Sequence, residues 1–317
     1  MPFLAIARLS ALEAIRRPVF LLVALGTIVA IVLLPLLLNY TLGDSARIIR
    51  DSALALQFLG GLFLGVHAAA EGFTRELRRG TAAIILAKPV PRAGFYLART
   101  LGILQALALY LLAALAATLL AVRVGANDFH LDWPALLITL GALLAALALA
   151  ALWNHRTHRP FTSAAFYLLL IGLLLAFAAA AFLPTPLDHQ TFPRNYTWNI
   201  LGVGFLLYLI LAMAVAFAAA LATRLPPAPT LLLTAALILL GITADTLLPA
   251  NPAQAPLATA AWALIPNVQA FWLIDALDDA VPIPPAYYLQ ATAYAATWAA
   301  AILILGALSF RRREITQ

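Results

Sequence analysis

The chain of 317 residues is 64% hydrophobic and only 10% charged, with a formal net charge of +6. A soluble domain carries about 25% charged residues, so this composition excludes a water-soluble protein. Positive charge is typical of nucleic-acid-binding proteins and of membrane proteins, and the charge positions described below favour a membrane and no nucleic acid. The chain has no cysteine, which excludes disulfides, thiolate metal sites and cysteine nucleophiles.

The first segment, residues 1–18, is predicted to be an interfacial helix on the cytoplasmic leaflet. The apolar stretch that follows resembles an export signal, but it runs for about 20 residues without a small-residue cleavage site and is predicted to be an uncleaved span. On a helical projection of the segment, polar and apolar residues lie on different sides: Ser10, Glu13, Arg16 and Arg17 on one, and Leu4, Ala11 and Ile15 on the other.

Eight apolar runs are each long enough to cross a bilayer as a helix, which takes about 20 residues. They lack the alternation of an outer-membrane barrel. We therefore predict an all-α, polytopic bundle of about eight spans in a single transmembrane domain, residues 1–317. The predicted spans are Val19–Leu38, Ala53–Ala70, Arg99–Ala121, Pro134–Trp153, Phe161–Leu183, Trp198–Thr223, Pro229–Leu248 and Pro285–Phe310.

Charge on the connecting segments predicts the orientation of the spans. With the N-terminus inside, fifteen of the nineteen basic residues and all four glutamates lie inside, and all nine aspartates lie outside. The inner segments then carry +11 and the outer ones −5. By the positive-inside rule, both termini are cytoplasmic, and we expect a bacterial inner membrane. Trp133 and Trp153 would lie about 30 Å apart, at the two interfaces of the fourth span.

The cytoplasmic loop 71–98 has the densest charge. Its sequence TRELRR favours a helix that Gly80 ends, TAAIILA favours a second short apolar turn, and the prolines of KPVP must leave helical geometry. The loop is either an ordinary basic segment on anionic lipid or a docking surface. The apolar turn favours a partner, protein or lipid headgroup.

The order of residues in this loop resembles a motif of type-2 ABC transporter permeases, E-x-x-x-G-T-x-x-x-x-L-x-x-P-x-x-R. In that family the motif follows the second span and forms a coupling helix that docks on a separate ATP-binding subunit. The resemblance implies that the helix 76–86 transmits closure of the ATPase, with charged side chains making the contacts and Gly80 and Pro89 fixing the helix ends. The implied coupling residues are Glu76, Arg78, Arg79, Gly80, Thr81, Leu86, Lys88, Pro89 and Arg92.

Other parts of the chain resemble the same family. Segment 1–18 is similar to its elbow helix, and Ile265–Leu277 followed by a span and Phe310–Ile315 is similar to the nitrous-oxide-reductase maturation permeases. Such permeases have short extracellular helices before the last span. In the outer loop 249–284, residues 266–279 are therefore expected to form an amphipathic helix. Its apolar side would carry Val268, Phe271, Trp272 and Ile274, and its outward side Asp275, Asp278 and Asp279.

The family core usually has six spans, so two of the eight predicted here are additional. The simplest choice is Phe161–Leu183 and Trp198–Thr223. The intramembrane glycines Gly60, Gly61 and Gly65 indicate close helix packing, as at a dimer interface.

Missing motifs limit the function further. A P-loop needs a lysine after glycine, and the only lysine is Lys88 in ILAKPV. ATP and magnesium would therefore bind a separate subunit. This chain is expected to be no enzyme and to hold no cofactor. His155 and His158 lack the glutamate of a zinc-protease motif and are assigned to a basic loop. Gln57 and His67 are interpreted as helix–helix contacts, with Gln57 near a span end. The outer aspartates could bind a cation, but a solvated face is favoured.

Three functions remain open. The first is the permease subunit of an ABC exporter, a homodimer or a heterodimer with a similar permease, in contact with membrane lipids and a separate ABC ATPase subunit. The second is a non-transporting assembly or scaffold protein whose basic loop recruits a soluble partner or anionic lipid. The third, a secondary carrier, is disfavoured because no charged residue lies mid-span.

Overall fold

A computed structural model describes residues 2–38, 44–79, 91–127, 130–186, 189, 191–247, 265–277 and 283–311. Within these ranges the chain is α-helical, with two short 3₁₀ turns and no β-strand. The elements are α1 (Pro2–Ile15), α2 (Pro18–Leu37), α3 (Ser45–Arg79), α4 (Arg92–Val124), α5 (Trp133–Thr157), α6 (Phe161–Ala181), α7 (Asn199–Ala222), α8 (Pro227–Leu247), the 3₁₀ turns Gln269–Phe271 and Asp275–Leu277, and α9 (Pro285–Arg311).

Eight helices, α2 to α9, are long and apolar enough to cross a membrane. Each corresponds in order to a predicted span, so the chain is a multi-pass helical membrane protein. Large apolar side chains cover their outward faces, as expected for surfaces that contact lipid rather than water. The most exposed of them include Leu22, Leu144, Leu232 and Leu289.

Two spans begin well before their predicted first residues. Helix α3 begins at Ser45 rather than near residue 53, and α4 begins at Arg92 rather than at residue 99. The prediction counted only uncharged residues, whereas a helix continues through charged turns; the pair Arg47–Asp51, one turn apart, lies in the first turns of α3. The sequence TRELRR, predicted to be helical, is therefore the last part of α3.

The described residues divide into two compact units. The first unit comprises Met1–Ala11, Gly65–Gln105 and Phe205–Gln317, and the second comprises Leu12–Leu64 and Ala106–Gly204. In the second unit, close helix contacts form at glycines: a Cβ on Gly60 would collide with Tyr110 and Thr27. The predicted close packing at Gly60 is therefore confirmed, and its partners belong to the same chain.

In the first unit, α1 crosses α4 closely at Gly102. A Cβ on Gly102 would collide with the main-chain oxygen of Ala7 and lie 2.6 Å from the Cβ of Ser10. Ser10 is buried and donates to the Ile6 oxygen at 2.9 Å, whereas Leu4 is 64% exposed. Ser10, on the predicted polar side, is therefore buried in this contact, because a close approach of two helices selects small residues.

The predicted amphipathic helix of residues 266–279 was wrong in its form. The described part, 265–277, has two short 3₁₀ turns instead. Val268, Phe271 and Ile274 are nevertheless buried as predicted. Val268 and Phe271 lie three residues apart across the first 3₁₀ turn and so share a face, which explains why this part of the apolar spacing survives. The Val268 amide donates to the Gly241 oxygen at 3.1 Å, which anchors the segment on α8.

Candidate functional site

The structure places the two ends of the implied coupling segment. Glu76, Arg78 and Arg79 lie in the last turns of α3, and Arg92 is the first residue of α4. These helix ends lie on the side that the charge distribution predicts to be cytoplasmic. The other implied coupling residues lie outside the described residues: Gly80, Thr81, Leu86, Lys88 and Pro89.

A buried arginine connects α3 to α4 about two turns from the segment. Arg99 of α4 is buried and donates through Nη2 to the Gly72 oxygen of α3 at 3.1 Å. Its guanidinium carbon lies 5.8 Å from the centre of the Phe73 ring. A charged group at this depth needs such partners, because leaving it unpaired in an apolar environment is costly.

Four aromatic residues pack beside this arginine; we call Phe73, Phe95, Tyr96 and Phe310 the aromatic base. All four are buried. The ring of Tyr96 lies 5.2 Å from that of Phe73, and the ring of Phe310 lies 6.2 Å from that of Phe95 and 6.1 Å from that of Tyr96. Such pairs contribute about 0.5–1.5 kcal/mol each beyond the area they bury. The aromatic base therefore joins the ends of α3, α4 and α9.

Polar contacts also hold the end of α9. Arg92 Nη1 donates to the Arg311 oxygen at 3.2 Å. Arg224, just after α7, donates from Nε to the Ser309 hydroxyl at 3.0 Å. The start of α4 and the end of α7 are thus both tied to α9 on this side.

Sequence reasoning did not identify these supporting residues. Arg99 was named only as the first residue of the third predicted span, and Phe310 only as a span end and part of a C-terminal motif. A usable signal exists on α4, where Phe95, Tyr96 and Arg99 fall within five residues and share a helix side. Their partners on α3 and α9 are distant in sequence and required the structure.

A second polar cluster, built on Arg123 and Asp132, lies in the second unit. Arg123 and Asp132 have side chains that are 1% and 4% exposed, and Arg123 Nε donates to Asp132 Oδ2 at 3.0 Å. The two Nη atoms donate to the main-chain oxygens of Ala180 and Leu183. Asp132 Oδ1 accepts from the Ala135 amide and so caps α5. The pair fixes the ends of α4, α5 and α6.

Tyr196 completes this cluster. Its ring centre lies 5.4 Å from the guanidinium carbon of Arg123, and its hydroxyl donates to the Phe177 oxygen at 2.9 Å. Burial raises the pKa of Tyr196, and the positive charge of Arg123 opposes this only in part. The phenol therefore stays neutral and acts as a hydrogen-bond donor.

Gln57 lies in the interior of α3 and not near a span end as predicted. It is completely buried, and its main-chain oxygen accepts from the Tyr110 hydroxyl at 3.2 Å. Neither side-chain amide atom has a hydrogen-bond partner among the described residues. The helix–helix contact predicted for Gln57 therefore forms through its backbone.

The remaining candidates form no reactive cluster in the described part of the chain. His155 and His158 are exposed, and His158 ends α5 with a left-handed backbone conformation. No group of three metal-ligating side chains occurs among the residues that the structure describes. Asp275 begins a 3₁₀ turn, and Asp278 and Asp279 lie outside the described ranges.

Comparison with known protein families, with curated proteins and with solved structures finds no match. The likeness to ABC permeases therefore rests on the sequence motifs quoted above. The structure adds the side-chain contacts at the ends of α3 and α4, which flank the loop motif.

Proposed function

We propose that the chain is the membrane-spanning permease subunit of an ATP-driven ABC transporter in a bacterial inner membrane. A separate ATPase subunit would bind ATP and magnesium and dock on the segment between α3 and α4. The observation that supports this best is the packing of the two helix ends that flank this segment, through Arg99 and the aromatic base. The family resemblance supports an exporter that works as a dimer.

Coupling requires that a displacement of the docking segment moves the spans instead of being absorbed by a flexible connection. Packed interiors are nearly incompressible and transmit displacement. The helices on either side of the segment, α3 and α4, pack against each other, and Phe310 extends this contact to α9. A displacement of the segment is therefore passed to three helices at once.

The charges suit a docking surface. Arg78, Arg79 and Arg92 flank the segment together with one acid, Glu76. Charged groups at the rim of an interface set partner choice and association rate more than affinity. The partner surface is expected to be acidic where it meets the arginines.

Charge reversal at the end of α3 tests the docking. The double variant R78E/R79E is expected to lose co-purification of the ATPase, because like charges would face each other across the interface. The matched control is R156E/R159E, which reverses two exposed arginines on the predicted cytoplasmic side. The measurement is the ATPase bound to the purified protein when both are expressed with the neighbouring genes.

Each result distinguishes between functions. Retention of the ATPase by the control and its loss from R78E/R79E supports the permease. An unmodified protein that brings down no ATPase contradicts the proposal. If it instead captures a non-ATPase protein or anionic lipid through the same arginines, the scaffold function is correct.

A further inference from the structure

A cavity of about 440 Å³ lies in the first unit, between the 3₁₀ segment that precedes α9 and the first turns of α9. We call it the outer cavity, because the charge distribution predicts that this end of α9 lies outside. Among the residues that line it are Asn267, Ala270, Phe271, Tyr287, Gln290 and Tyr294. Cavities of about 300–1,000 Å³ accept small ligands or parts of larger ones.

The position of the outer cavity along α9 corresponds to the boundary of the hydrocarbon core. Tyr294 and Tyr287 lie about 26 Å and about 36 Å along the helix from Arg311, at a rise of about 1.5 Å per residue. The hydrocarbon core of a bilayer is about 30 Å thick. Since Arg311 is charged and ends the span on the predicted inner side, the outer cavity lies at the level where acyl chains join the glycerol of a lipid.

The wall that the 3₁₀ segment forms is held in place by hydrogen bonds. The Asn267 amide donates to the Tyr294 hydroxyl oxygen at 3.0 Å, and the Tyr287 hydroxyl donates to the Ala270 oxygen. The Ala270 amide donates to Asn267 Oδ1 at 3.0 Å. A non-helical backbone at membrane depth must satisfy its polar groups within the protein. The segment therefore cannot close the cavity without losing these bonds, and the cavity is preformed.

The outer cavity is suited to uncharged groups. None of the described residues that line it is charged. Phe271 and Ala291 also line it, and they are only 2% and 8% exposed, so the inner part of the cavity is apolar. A charged group that entered would lose its hydration without gaining an opposite charge. The part of a ligand that enters is therefore apolar or uncharged.

Tyr294 supplies a hydrogen-bond donor to the cavity. Its hydroxyl oxygen accepts from the Asn267 amide, and its own O–H has no acceptor among the described residues. Tyr294 is 40% exposed, and the hydrogen bond that it accepts is exposed as well. The hydroxyl can therefore donate to an acceptor that comes from outside the chain, and in these uncharged surroundings a carbonyl oxygen is a suitable one.

The surroundings of the outer cavity indicate a lipid as its occupant. Leu289, on the same turns of α9, is 74% exposed, and an exposed leucine at this depth contacts acyl chains rather than water. In a glycerolipid, the acceptor at the boundary between acyl chains and headgroup is the ester carbonyl. The phosphate lies further out and needs no partner inside the cavity.

We propose that the outer cavity binds one acyl chain of a glycerolipid at its ester. The ester carbonyl oxygen accepts from the Tyr294 hydroxyl, and the first part of the chain packs against Phe271. This binding does not depend on the proposed transport function.

The test compares ester lipids with ether lipids on the full chain. Diester and diether phosphatidylcholines with the same chains are added in equal amounts to the purified protein in detergent, and native mass spectrometry measures the ratio of the two lipids bound. An ether lacks the carbonyl oxygen, and the mass difference resolves both lipids in one spectrum. The unmodified protein is expected to bind the ester about fivefold more than the ether, which corresponds to one hydrogen bond.

A pair of tyrosine variants tests the donor. Y294F keeps the ring and removes the hydroxyl, so the ratio of ester to ether is expected to fall to about one. The matched control is Y288F, because Tyr288 is a half-buried tyrosine of the same helix that does not line the cavity. It should keep the fivefold preference. Since both lipids compete in one sample, the ratio does not depend on the amount of folded protein.

A pair of alanine variants tests the location. A291F places a ring inside the cavity and is expected to abolish the ester preference. A293F places the same ring on the exposed side of α9, away from the cavity, and should keep the preference.

Three results would contradict the proposal. The first is a ratio near one in the unmodified protein. The second is an equal loss of the preference in Y294F and Y288F, which would indicate that any tyrosine near the interface selects the ester. The third is an ester preference that A291F retains, because the lipid would then bind on another surface.

Discussion

At the residue scale, Arg99 and Arg123 each place a guanidinium near one end of the spans, where it donates to main-chain oxygens. The planar guanidinium has five donors, so it can bind acceptors from several helices at once. A lysine at either position would present a single point charge. Both residues are therefore structural cross-links between helices, unlike the exposed Arg156.

The Arg123–Asp132 pair predicts a specific pattern of stability. R123M is expected to lower the free energy of unfolding by about 3 kcal/mol or more, because it leaves the Asp132 charge buried without its partner. The double variant R123M/D132N should be more stable than R123M, since asparagine keeps the cap of α5 without the charge. Thermal unfolding of the purified protein in detergent measures both.

Two outcomes of these measurements would contradict this prediction. If R123M unfolds at the temperature of the unmodified protein, the pair has no structural importance. If the effects of the two substitutions simply add, the residues are not coupled.

At the element scale, the position of α1 depends on its close contact with α4. The main chain of α1 meets Gly102 of α4, where no Cβ fits. A serine is buried there because its hydroxyl donates to an oxygen of its own helix, so the contact leaves no polar group unpaired. The position of α1 is thus set by small residues and only weakly by amphipathic character.

This contact predicts a contrast between two glycines. G102L is expected to destabilise the protein by roughly 1–3 kcal/mol, because α1 must move away from α4. G141L is the control: a Cβ on this α5 glycine meets nothing within 4 Å. Leucine there should leave stability unchanged or raise it by up to about 1 kcal/mol through helix propensity. Equal melting temperatures for G102L and G141L would contradict the α1 contact.

At the scale of the whole molecule, the orientation can be tested directly because the chain has no cysteine. A single-cysteine variant T191C is expected to react with a membrane-impermeant maleimide in intact cells, since the charge distribution predicts that residue 191 lies outside. T157C should react only after permeabilisation. Both positions are exposed, so access to the side chain does not differ. Labelling in the opposite pattern would reverse the orientation and remove the docking segment from the cytoplasm.

The sequence alone determined the number, order and approximate positions of the spans. A bilayer supplies no hydrogen bonds to the backbone, so each crossing must be a complete helix, and its length and hydropathy are local properties. Hydropathy also explains why the predicted first residues of α3 and α4 were wrong. The two helices begin at Ser45 and Arg92 because charged turns extend a helix beyond its apolar run. The basic segment between α3 and α4 was equally visible from composition.

Only the tertiary structure decided which side chains hold the helix ends beside that segment and which hold the ends of α4, α5 and α6. The contacts of Arg99 with Gly72, of Phe310 with Tyr96 and of Asn195 with Ala181 join residues far apart in the chain or on separate elements. Every face of a membrane helix is apolar, so hydropathy does not indicate which face meets another helix and which meets lipid. That choice follows from close packing between helices, which a single sequence does not display.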